Sequence, residues 1–536
     1  MSHLGYKKIL KSEADVRFPS FQQGFNQRWF SSNCQAVYLC QNAQGTAAAL
    51  DDAIASYSDI GSVKILSGGH CYENFVFNDD TAAILNVTPM DEAGLDPDLG
   101  YYLGSGGTNW GAFKALFRDY GKVLPAGSCY SVGLGGHISG GGDGILSRLY
   151  GLTVDWLTGV EIVVKDDANL PAKVKYVSCD SVGDDYDLYW SATGGGGGNF
   201  GVITRYYFKT LPDSPKGAII SSVSISWDGL TAEILKNVLD WYVDFAARED
   251  NWRTSLKFQM MHKSAGELKM TIQSSYFNEK QRIESKAYVH KLEAELDRIT
   301  GSCPLTRVAS TLAGHGGWWS VPPAPRKFNT CEQDAITEST GDYTYYEAEQ
   351  TLNSSGPNQR GKYKSAYQRK RFPTEQIQII YDQLQVIPDG LTADDMKQSL
   401  LQVDTFGGKI NTVSPTAKAI AQRSYLVKLQ YQTYWLDKSQ DEEHLSWIGG
   451  FYEEMYAPYG GVPSPGPNYE VTPDSLFEGC YYNYPDVDLN DIVGKDGALT
   501  LYFLGNYEKN RRNLVNVKKR WDPNNFFHNA QSIPVK

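Results

Sequence analysis

The hydrophobic pattern divides roughly the first two hundred residues into short strands and helices. Apolar runs predict strands at residues 35–40, 62–66, 82–87, 101–104, 160–164 and 202–208. Helical spacing of apolar side chains predicts helices at 45–58 and around 110–117. This alternation indicates an α/β or α+β domain that closes near residues 211–216.

From about residue 217 to 468 the pattern changes to longer alternating runs. Such runs predict strands at 219–227, 268–277 and 424–435, and amphipathic spacing predicts a long helix at 279–299. Prolines and glycines predict loops at 303–327 and 459–468, and a last helix is predicted near 506–520. This arrangement is typical of an antiparallel sheet covered by helices.

The charge balance limits the class of partner. The chain has 536 residues with 50 basic and 62 acidic side chains, and the net charge of −12 repels nucleic-acid phosphates and anionic lipids. No apolar stretch approaches the roughly 18 residues that a membrane span needs. We therefore expect a soluble protein with a neutral or cationic small-molecule substrate, and no nucleic-acid or membrane partner.

The N-terminus and the cysteines indicate little about function. The first twenty residues lack the apolar core of a secretory signal, so the location is left open between the cytoplasm and a compartment reached after processing. The eight cysteines show no C-x-x-C pair and no metal-ligand spacing, which predicts mostly reduced thiols and no metal site. Disulfides between Cys34 and Cys40, or between Cys303 and Cys331, would require an oxidising compartment.

Two glycine runs interrupt the periodicity. Eight of the twenty residues at 125–144 and six of the nine at 193–201 are glycine. Because each glycine costs roughly 0.5–1 kcal/mol of chain entropy relative to alanine, such runs in a folded core need a reason. They indicate that the backbone comes very close to a bound group, and the first run is typical of a loop around a large planar cofactor.

Two residues next to glycines are candidates for cofactor chemistry. Gly68 and Gly69 follow a predicted strand, and successive backbone N–H groups at such a turn can hold a pyrophosphate, with His70 beside it. The alternative is a tight turn with a locally bonded histidine. Cys129 can be a reactive thiolate among backbone donors, or else a small buried hydrophobic residue.

Polar residues at period-two spacing are candidates for catalysis. Tyr481 and Asn483 share one face of an extended segment. A phenol can take an alcohol proton only if its pKa of about 10 is lowered, for which nearby positive charge is one means. Two further pairs share a strand face by the same rule, Lys428 with Gln430 and Gln402 with Asp404. The alternatives are a tyrosine ladder at a domain junction for Tyr481, a solvated side chain for Lys428 and a turn cap for Asp404.

Four of these motifs together resemble one family. They are SGGHCYE (67–73), GSCYSVGLGGHISGGGDG (127–144), TGGGGGNFGVIT (193–204), and YYNYPDVDL with FFHNAQSIP near the C-terminus. They resemble the FAD-linked oxidases of the vanillyl-alcohol oxidase and berberine bridge enzyme type. RFPSFQQGFNQRW, GPNQRGKYKSAY and LQYQTYW are in addition similar to the hexose oxidases of the red-algal kind, and the resemblance covers about residues 17–534.

The resemblance implies an α+β fold with a two-part FAD-binding domain of the vanillyl-alcohol oxidase (PCMH) type. Its parts would be residues 1–215 and the returning segment 479–536, around a substrate-binding domain at 216–478. FAD would be attached twice, through His70 to the flavin 8α carbon and through Cys129 to C6. Further cofactor-binding positions implied are Ser67, Gly68, Gly69, Cys71, Val132, Gly133, Gly135, Gly136, His137, Gly142, Gly201, Val202 and Asn483. A valine at 132 matches the oxygen-using members of the family.

The resemblance also implies a reaction. Tyr481 matches the catalytic base, and Lys428 and Gln430 match a pair that faces the flavin, where Lys428 could supply the positive charge. Substrate contacts are implied for Tyr72, Gln402, Asp404 and Gln430. The implied activity is oxidation of the C1 hydroxyl of aldoses such as D-glucose, D-galactose, lactose, maltose and cellobiose to the 1,5-lactone, with O2 reduced to H2O2. Phe406 replaces a tyrosine of many relatives, which argues against a second-tyrosine mechanism there.

Two alternatives stay open at this point. The same chemistry could act on a glycosylated natural product or an aromatic alcohol, as in berberine bridge enzyme-like tailoring oxidases. A different class would be a carbohydrate-binding protein without turnover, although His70, Cys129, Val132 and Tyr481 argue against it. The oligomeric state is left open, with a homodimer among the options.

Overall fold

The computed structural model describes residues 5–57, 61–301, 305–308, 340–351 and 356–536. Within these residues the first sheet has the strands β1 (Tyr6–Leu10), β2 (Ala36–Cys40), β3 (Val63–Leu66) and β4 (Ala83–Asn86). Their order is β1–β2–β4–β3, with β2, β3 and β4 parallel and β1 antiparallel at the edge. The strands predicted at 35–40, 62–66 and 82–87 are thereby confirmed.

Helix α1 (Ala43–Ser56) packs between this sheet and the second one. Its N-terminus is capped by Asn42, whose side-chain Oδ1 accepts a hydrogen bond of 2.8 Å from the Gly45 N–H. A Cβ at Gly45 would lie 1.9 Å from the Gly5 carbonyl oxygen, so only glycine allows this close approach of helix and chain. The helix buries an alanine-rich face because it has sheets on both sides.

The second sheet is antiparallel. Its strands are β5 (Ala93–Asp96), β6 (Gly100–Gly104), β7 (Gly159–Val164), β8 (Lys173–Ser178) and β9 (Val202–Phe208), in the order β5–β6–β9–β7–β8. The helices around it are α2 (Asn109–Tyr120), α3 (Leu134–Ser139), α4 (Ser147–Tyr150), α5 (Thr153–Trp156) and α6 (Gly183–Ser191). The strand bounds 202–208 agree with the sequence prediction.

The third sheet is larger and also antiparallel. Its strands are β10 (Gly217–Ser226), β11 (Thr254–Met261), β12 (Glu267–Tyr276), β13 (Leu305–Val308), β14 (Thr340–Thr344), β15 (Arg360–Gln368), β16 (Leu400–Thr405) and β17 (Val427–Trp435). The order is β13–β10–β12–β11–β16–β17–β15, and β14 also pairs with β10. The helices in this part are α7 (Ala232–Ala246), α8 (Glu279–Thr300), α9 (Tyr345–Thr351), α10 (Thr374–Gln383) and α11 (Asp441–Tyr456).

A buried arginine joins the second and third parts of the fold. Arg148 of α4 is 1% exposed, and its guanidinium donates hydrogen bonds to the carbonyl oxygens of Thr254, Ala246 and Phe406. The largest core cluster continues across this junction, from β7 and β9 to the helices on the third sheet. The protein is therefore α+β, as predicted. The first two, smaller sheets come first in the chain, and the larger antiparallel sheet with its helices follows them.

The C-terminal segment returns to the first two sheets through α12 (Leu489–Phe503) and α13 (Leu514–Trp521). Lys518 is fully buried, and its Nζ donates to the backbone oxygens of Asn199 and Phe527 at 2.8 and 2.6 Å. The last helix was expected from about residue 506, but it begins at Leu514 because the Asn513 side chain caps it. The divisions at 215 and 478 stay a prediction.

Two further expectations concern the cysteines and a membrane span. Cys34 and Cys40 are separate buried thiols, so they form no disulfide with each other, whereas Cys303 and Cys331 lie outside the described residues, as does most of the loop predicted at 303–327. None of the helices described here combines the length and the apolar sequence that a bilayer crossing requires.

Candidate active site

A cavity of about 290 Å³ lies between the first two sheets and the C-terminal segment. The predicted cofactor-binding residues on its wall are Ser67, Gly68, Gly69, His70, Cys71, Cys129, Val132, Gly133, Gly135, Gly136, His137, Gly201 and Asn483. Gly142 is not on this wall, and its backbone N–H instead lies near Tyr481, whose pKa it acts to lower. Val202 also departs from expectation, because its side chain is fully buried in the core with Val163.

The glycines have two different functions. A Cβ at Gly68 would lie 2.3 Å from the Gly133 nitrogen, and one at Gly133 would lie 2.2 Å from the Gly68 nitrogen, so these two loops pack directly on each other. At Gly136 and Gly198 an added Cβ meets no protein atom within 4 Å, although both residues are on the cavity wall. Only the second pair leaves space for a bound group.

His70 and Cys129 come together on this wall although 59 residues separate them. The His70 ring stacks on Phe25, with 4.8 Å between ring centroids, and its Nε2 lies 2.9 Å from the Ser131 hydroxyl. Burial lowers the pKa of His70 to about 4, so the ring is neutral at neutral pH. The contact with Ser131 is long-range in sequence, which contradicts the alternative of a locally bonded histidine.

Tyr481 is 3% exposed, and its hydroxyl oxygen accepts a hydrogen bond of 2.9 Å from Asn483 Nδ2. The same amide also donates to the His137 carbonyl oxygen at 2.9 Å, and the nearby Gly142 N–H, like Asn483, acts to lower the pKa of Tyr481. Burial, and then the carboxylate of Asp143, raise the pKa of Tyr481 well above 10. We expected a lowered pKa, but desolvation disfavours the phenolate more than these two donors stabilise it.

The Lys428 ammonium lies in an aromatic cage beside Tyr481. Its Nζ is 4.8 Å from the ring centroids of Tyr481 and Tyr484 and 5.0 Å from that of Phe406. It also donates a hydrogen bond of 2.7 Å to Asp143 Oδ1. The lysine is 1% exposed, which excludes a solvated side chain, but Asp143 neutralises the positive charge that we expected it to offer Tyr481.

Gln402, Asp404 and Gln430 form a polar network on β16 and β17 next to Lys428. Asp404 is paired with Lys428 across the strands, and Gln402 with Gln430. Gln402 Nε2 donates to both carboxylate oxygens of Asp404, at 3.1 and 3.0 Å, and to Gln430 Oε1 at 3.3 Å. Burial raises the pKa of Asp404. None of these three residues is on the described cavity wall. Tyr72 is on it, and its ring stacks on that of Tyr363 with 3.5 Å between ring centroids.

Three of the polar wall residues that sequence reasoning missed are Asp143, Asn109 and Ser105. Asp143 interrupts the glycine run GGGDG, where a charged residue among backbone-contact glycines was a usable signal. Asn109 and Ser105 had no such signal. Both side-chain polar atoms of Asn109, and the hydroxyl of Ser105, are buried without a hydrogen-bond partner in the structure.

These features test whether the residues fit FAD. Unpartnered buried polar atoms on a cavity wall need a ligand or water, and Asn109, Ser105 and Asp143 Oδ2 supply such atoms. The open space at Gly136 and Gly198 admits a planar ring system, and His70 and Cys129 face the same space. Across the described residues, no group of three or more His, Cys, Asp or Glu side chains could hold a metal ion. The site therefore fits an organic cofactor of this type.

Comparisons with known proteins agree with this fit. The family "FAD binding domain" matches residues 35–169, and "Berberine and berberine like" matches residues 480–534. The chain is 53% identical to hexose oxidase from Chondrus crispus, over 97% of this chain and 94% of that protein. It is 31% identical to aclacinomycin-N/aclacinomycin-A oxidase from Streptomyces galilaeus, over 95% and 87% of the two chains. A glycopeptide hexose oxidase complexed with teicoplanin superposes with a TM-score of 0.81 at 27% identity, over 99% of both chains.

Fold and site together define an FAD-dependent oxidoreductase. The chain belongs to the berberine bridge enzyme-like family of FAD-linked oxidases, and the resemblance seen in its motifs is confirmed.

A valine at Gly136 should exclude the cofactor without unfolding the protein. The new side chain would enter the cavity because no protein atom is near, so Gly136→Val should be purified with at least about tenfold less flavin absorbance per protein. Gly450→Val is the matched control, since Gly450 is also a helical glycine with no atom within 4 Å of its Cβ position and lies outside the cavity. Equal flavin content in both variants would contradict the placement of FAD.

Proposed function

We propose that this protein is a carbohydrate oxidase of the hexose oxidase kind. It oxidises the C1 hydroxyl of aldoses such as D-glucose, D-galactose, lactose, maltose and cellobiose to the 1,5-lactone, and O2 becomes H2O2. The observation that carries the proposal is Tyr481, a buried phenol on the cavity wall whose oxygen accepts a hydrogen bond from Asn483. The 53% identity to hexose oxidase over nearly the whole chain supports the substrate class.

FAD, when bound, accepts the two electrons of the alcohol oxidation and passes them to O2. His70 and Cys129 are the residues that would attach it, one on each of two loops that Gly68 and Gly133 bring into contact. A relative of known structure, glucooligosaccharide oxidase from Acremonium strictum, carries 6-S-cysteinyl, 8α-N1-histidyl FAD. We propose the same two attachments here, and Val132 on the wall as the position that admits oxygen.

Tyr481 receives the proton of the sugar hydroxyl. Its oxygen accepts a hydrogen bond from Asn483 and lies near the Gly142 N–H, and both donors favour the phenolate over the phenol. Lys428 lies against the Tyr481 ring, with its positive charge balanced by Asp143. The balance of these groups sets the pH at which Tyr481 becomes a base.

The third sheet offers the hydroxyl-binding groups. Gln402, Asp404 and Gln430 already hydrogen-bond one another, so a sugar would exchange these bonds for its own hydroxyls at low net cost. The Tyr72 ring, stacked on Tyr363, adds an apolar aromatic surface on the cavity wall. Neutral polyols with one apolar face suit such a combination.

The proposed activity is tested by measuring H2O2 from the purified yellow protein in air. The panel is D-glucose, D-galactose, lactose, maltose, cellobiose and one benzylic alcohol. Turnover of several sugars is expected, with much slower or no oxidation of the benzylic alcohol. Silence on every sugar with the flavin present would reject the proposal and favour a tailoring oxidase for a larger glycosylated or aromatic substrate, the second activity that the similarity to aclacinomycin oxidase suggests.

Tyr481→Phe should remove the base and retain the cofactor. Because general-base catalysis contributes typically about 10²–10⁴-fold, kcat should fall by that factor while the flavin spectrum is unchanged. Tyr242→Phe serves as the control, since Tyr242 is equally buried but donates to backbone oxygens of Leu256 and Val403 away from the cavity. An active Tyr481→Phe enzyme would exclude Tyr481 from the role.

Asp143→Asn should move the pH profile of flavin reduction by sugar to lower pH. The carboxylate raises the pKa of Tyr481, and only the deprotonated phenol is a base, so its removal makes that form available at lower pH, by about one pH unit. Asp155→Asn removes another ion-paired, partly buried carboxylate, which pairs with Arg423 outside the cavity, and should leave the profile in place. An unchanged profile in Asp143→Asn would show that Asp143 does not control Tyr481.

A further inference from the structure

The turn that carries Cys129 is fixed from outside the cavity. Tyr130 stacks on Trp110 of α2, with ring centroids 4.2 Å apart and planes 17° from parallel. The Asn109 N–H donates to the Val132 carbonyl oxygen at 3.0 Å. With Tyr130 anchored on the helix, Cys129 faces the cavity, and Ser131 reaches His70.

His70 is held between two of its neighbours. Phe25 stacks on its ring and is itself fixed by a hydrogen bond of 2.9 Å from its N–H to the Gly69 carbonyl oxygen. The Ser131 hydroxyl engages Nε2 at 2.9 Å. The other ring nitrogen, Nδ1, has no hydrogen-bond partner among the described residues and is not among their buried unpartnered atoms. Nδ1 is therefore the accessible nitrogen of a side chain that lines the cavity.

We propose that Ser131 is the positioning residue for covalent attachment of the cofactor at His70. Its hydroxyl accepts the Nε2–H, which keeps the ring proton on Nε2 and the lone pair on Nδ1, and it holds Nδ1 toward the cavity. The inference rests on the proposed covalent FAD, and it adds a residue that neither attaches to the flavin nor touches the substrate.

Attachment of the flavin at His70 needs no reactant other than FAD and O2. A bond forms between Nδ1 and the flavin 8α carbon, and one C–H bond of that methyl group breaks. The methyl proton and the Nε2 proton, which leaves along the hydrogen bond to Ser131, go with two electrons to O2, which becomes H2O2. O2 is the oxidant of the proposed reaction, so no further reactant is needed.

The electrostatics of the site agree with this assignment. Burial lowers the pKa of His70 to about 4, so the imidazole is neutral and one of its two nitrogens carries a lone pair. In a neutral imidazole the hydrogen bond at one nitrogen decides the chemistry of the other, as in metal-ligating histidines. Without Ser131 the ring could carry its proton on either nitrogen, and Nε2–H would lose its partner.

Ser131→Ala tests the proposal by mass spectrometry of proteolysed protein, without any sugar. The purified protein is incubated with FAD in air and sampled over time. In the wild type one FAD should join the peptides that contain His70 and Cys129. In the alanine variant FAD should stay on the Cys129 peptide, while the His70 attachment should appear about tenfold more slowly or through Nε2, which NMR of the isolated flavin peptide distinguishes.

Ser131→Thr is the matched control because it retains the hydroxyl, and its His70 attachment should approach the wild-type rate. Attachment at Nδ1 in Ser131→Ala at the wild-type rate would overturn the proposal. If Ser131→Ala holds no FAD at either residue, the threonine variant decides: double attachment supports the role of the hydroxyl, and its absence rejects it. Because these readouts need no sugar, inactivity of the wild type on the sugar panel would reject the proposed function and leave this test intact.

Discussion

A cluster of five charges, four of them buried, holds together the segments that build the cavity. Lys362 Nζ on β15 lies 2.5 Å from Glu73 Oε1 and 2.8 Å from Asp486 Oδ1, and Lys364 Nζ lies 2.8 and 2.6 Å from Asp486 Oδ2 and Asp488 Oδ2. Glu73 follows the candidate flavin-linked histidine by three residues, and the two aspartates follow the candidate base. Removal of one partner would leave an uncompensated buried charge, so the cluster fixes the relative position of both loops and the third sheet.

Burial away from water also explains the protonation states of the candidate catalytic groups. Burial raises the pKa of Tyr481 and lowers the pKa of His70, because it disfavours the charged form of each side chain. Tyr481 therefore stays protonated, and His70 stays neutral. Beside them the Lys428 side chain pairs with Asp143 and lies against the aromatic rings. The site thus holds the candidate base and the candidate nucleophile in uncharged forms, with hydrogen-bonding neighbours around each one.

The proposed sugar-binding residues lie on a different part of the fold from the candidate cofactor site. The cavity is built by the first two sheets and the C-terminal segment, whereas Gln402, Asp404 and Gln430 belong to β16 and β17 of the third sheet. Relatives with similar folds include a hexose oxidase and an oxidase of aclacinomycins, so one frame serves substrates of different size. In this chain the proposed hydroxyl-binding groups are already hydrogen-bonded to one another, an arrangement that would favour ligands able to replace several hydrogen bonds at once.

By itself the sequence predicted about half of the strands, several of the helices and many of the residues that line the cavity, because period-two and helical patterns and glycine-flanked motifs are local. His70, Cys129 and Tyr481 could be selected in this way. The tertiary structure alone decided that Asp143 pairs with Lys428, 285 positions away, and that burial raises the pKa of Tyr481. Charge pairing and desolvation depend on which distant segments meet, and no local pattern records that.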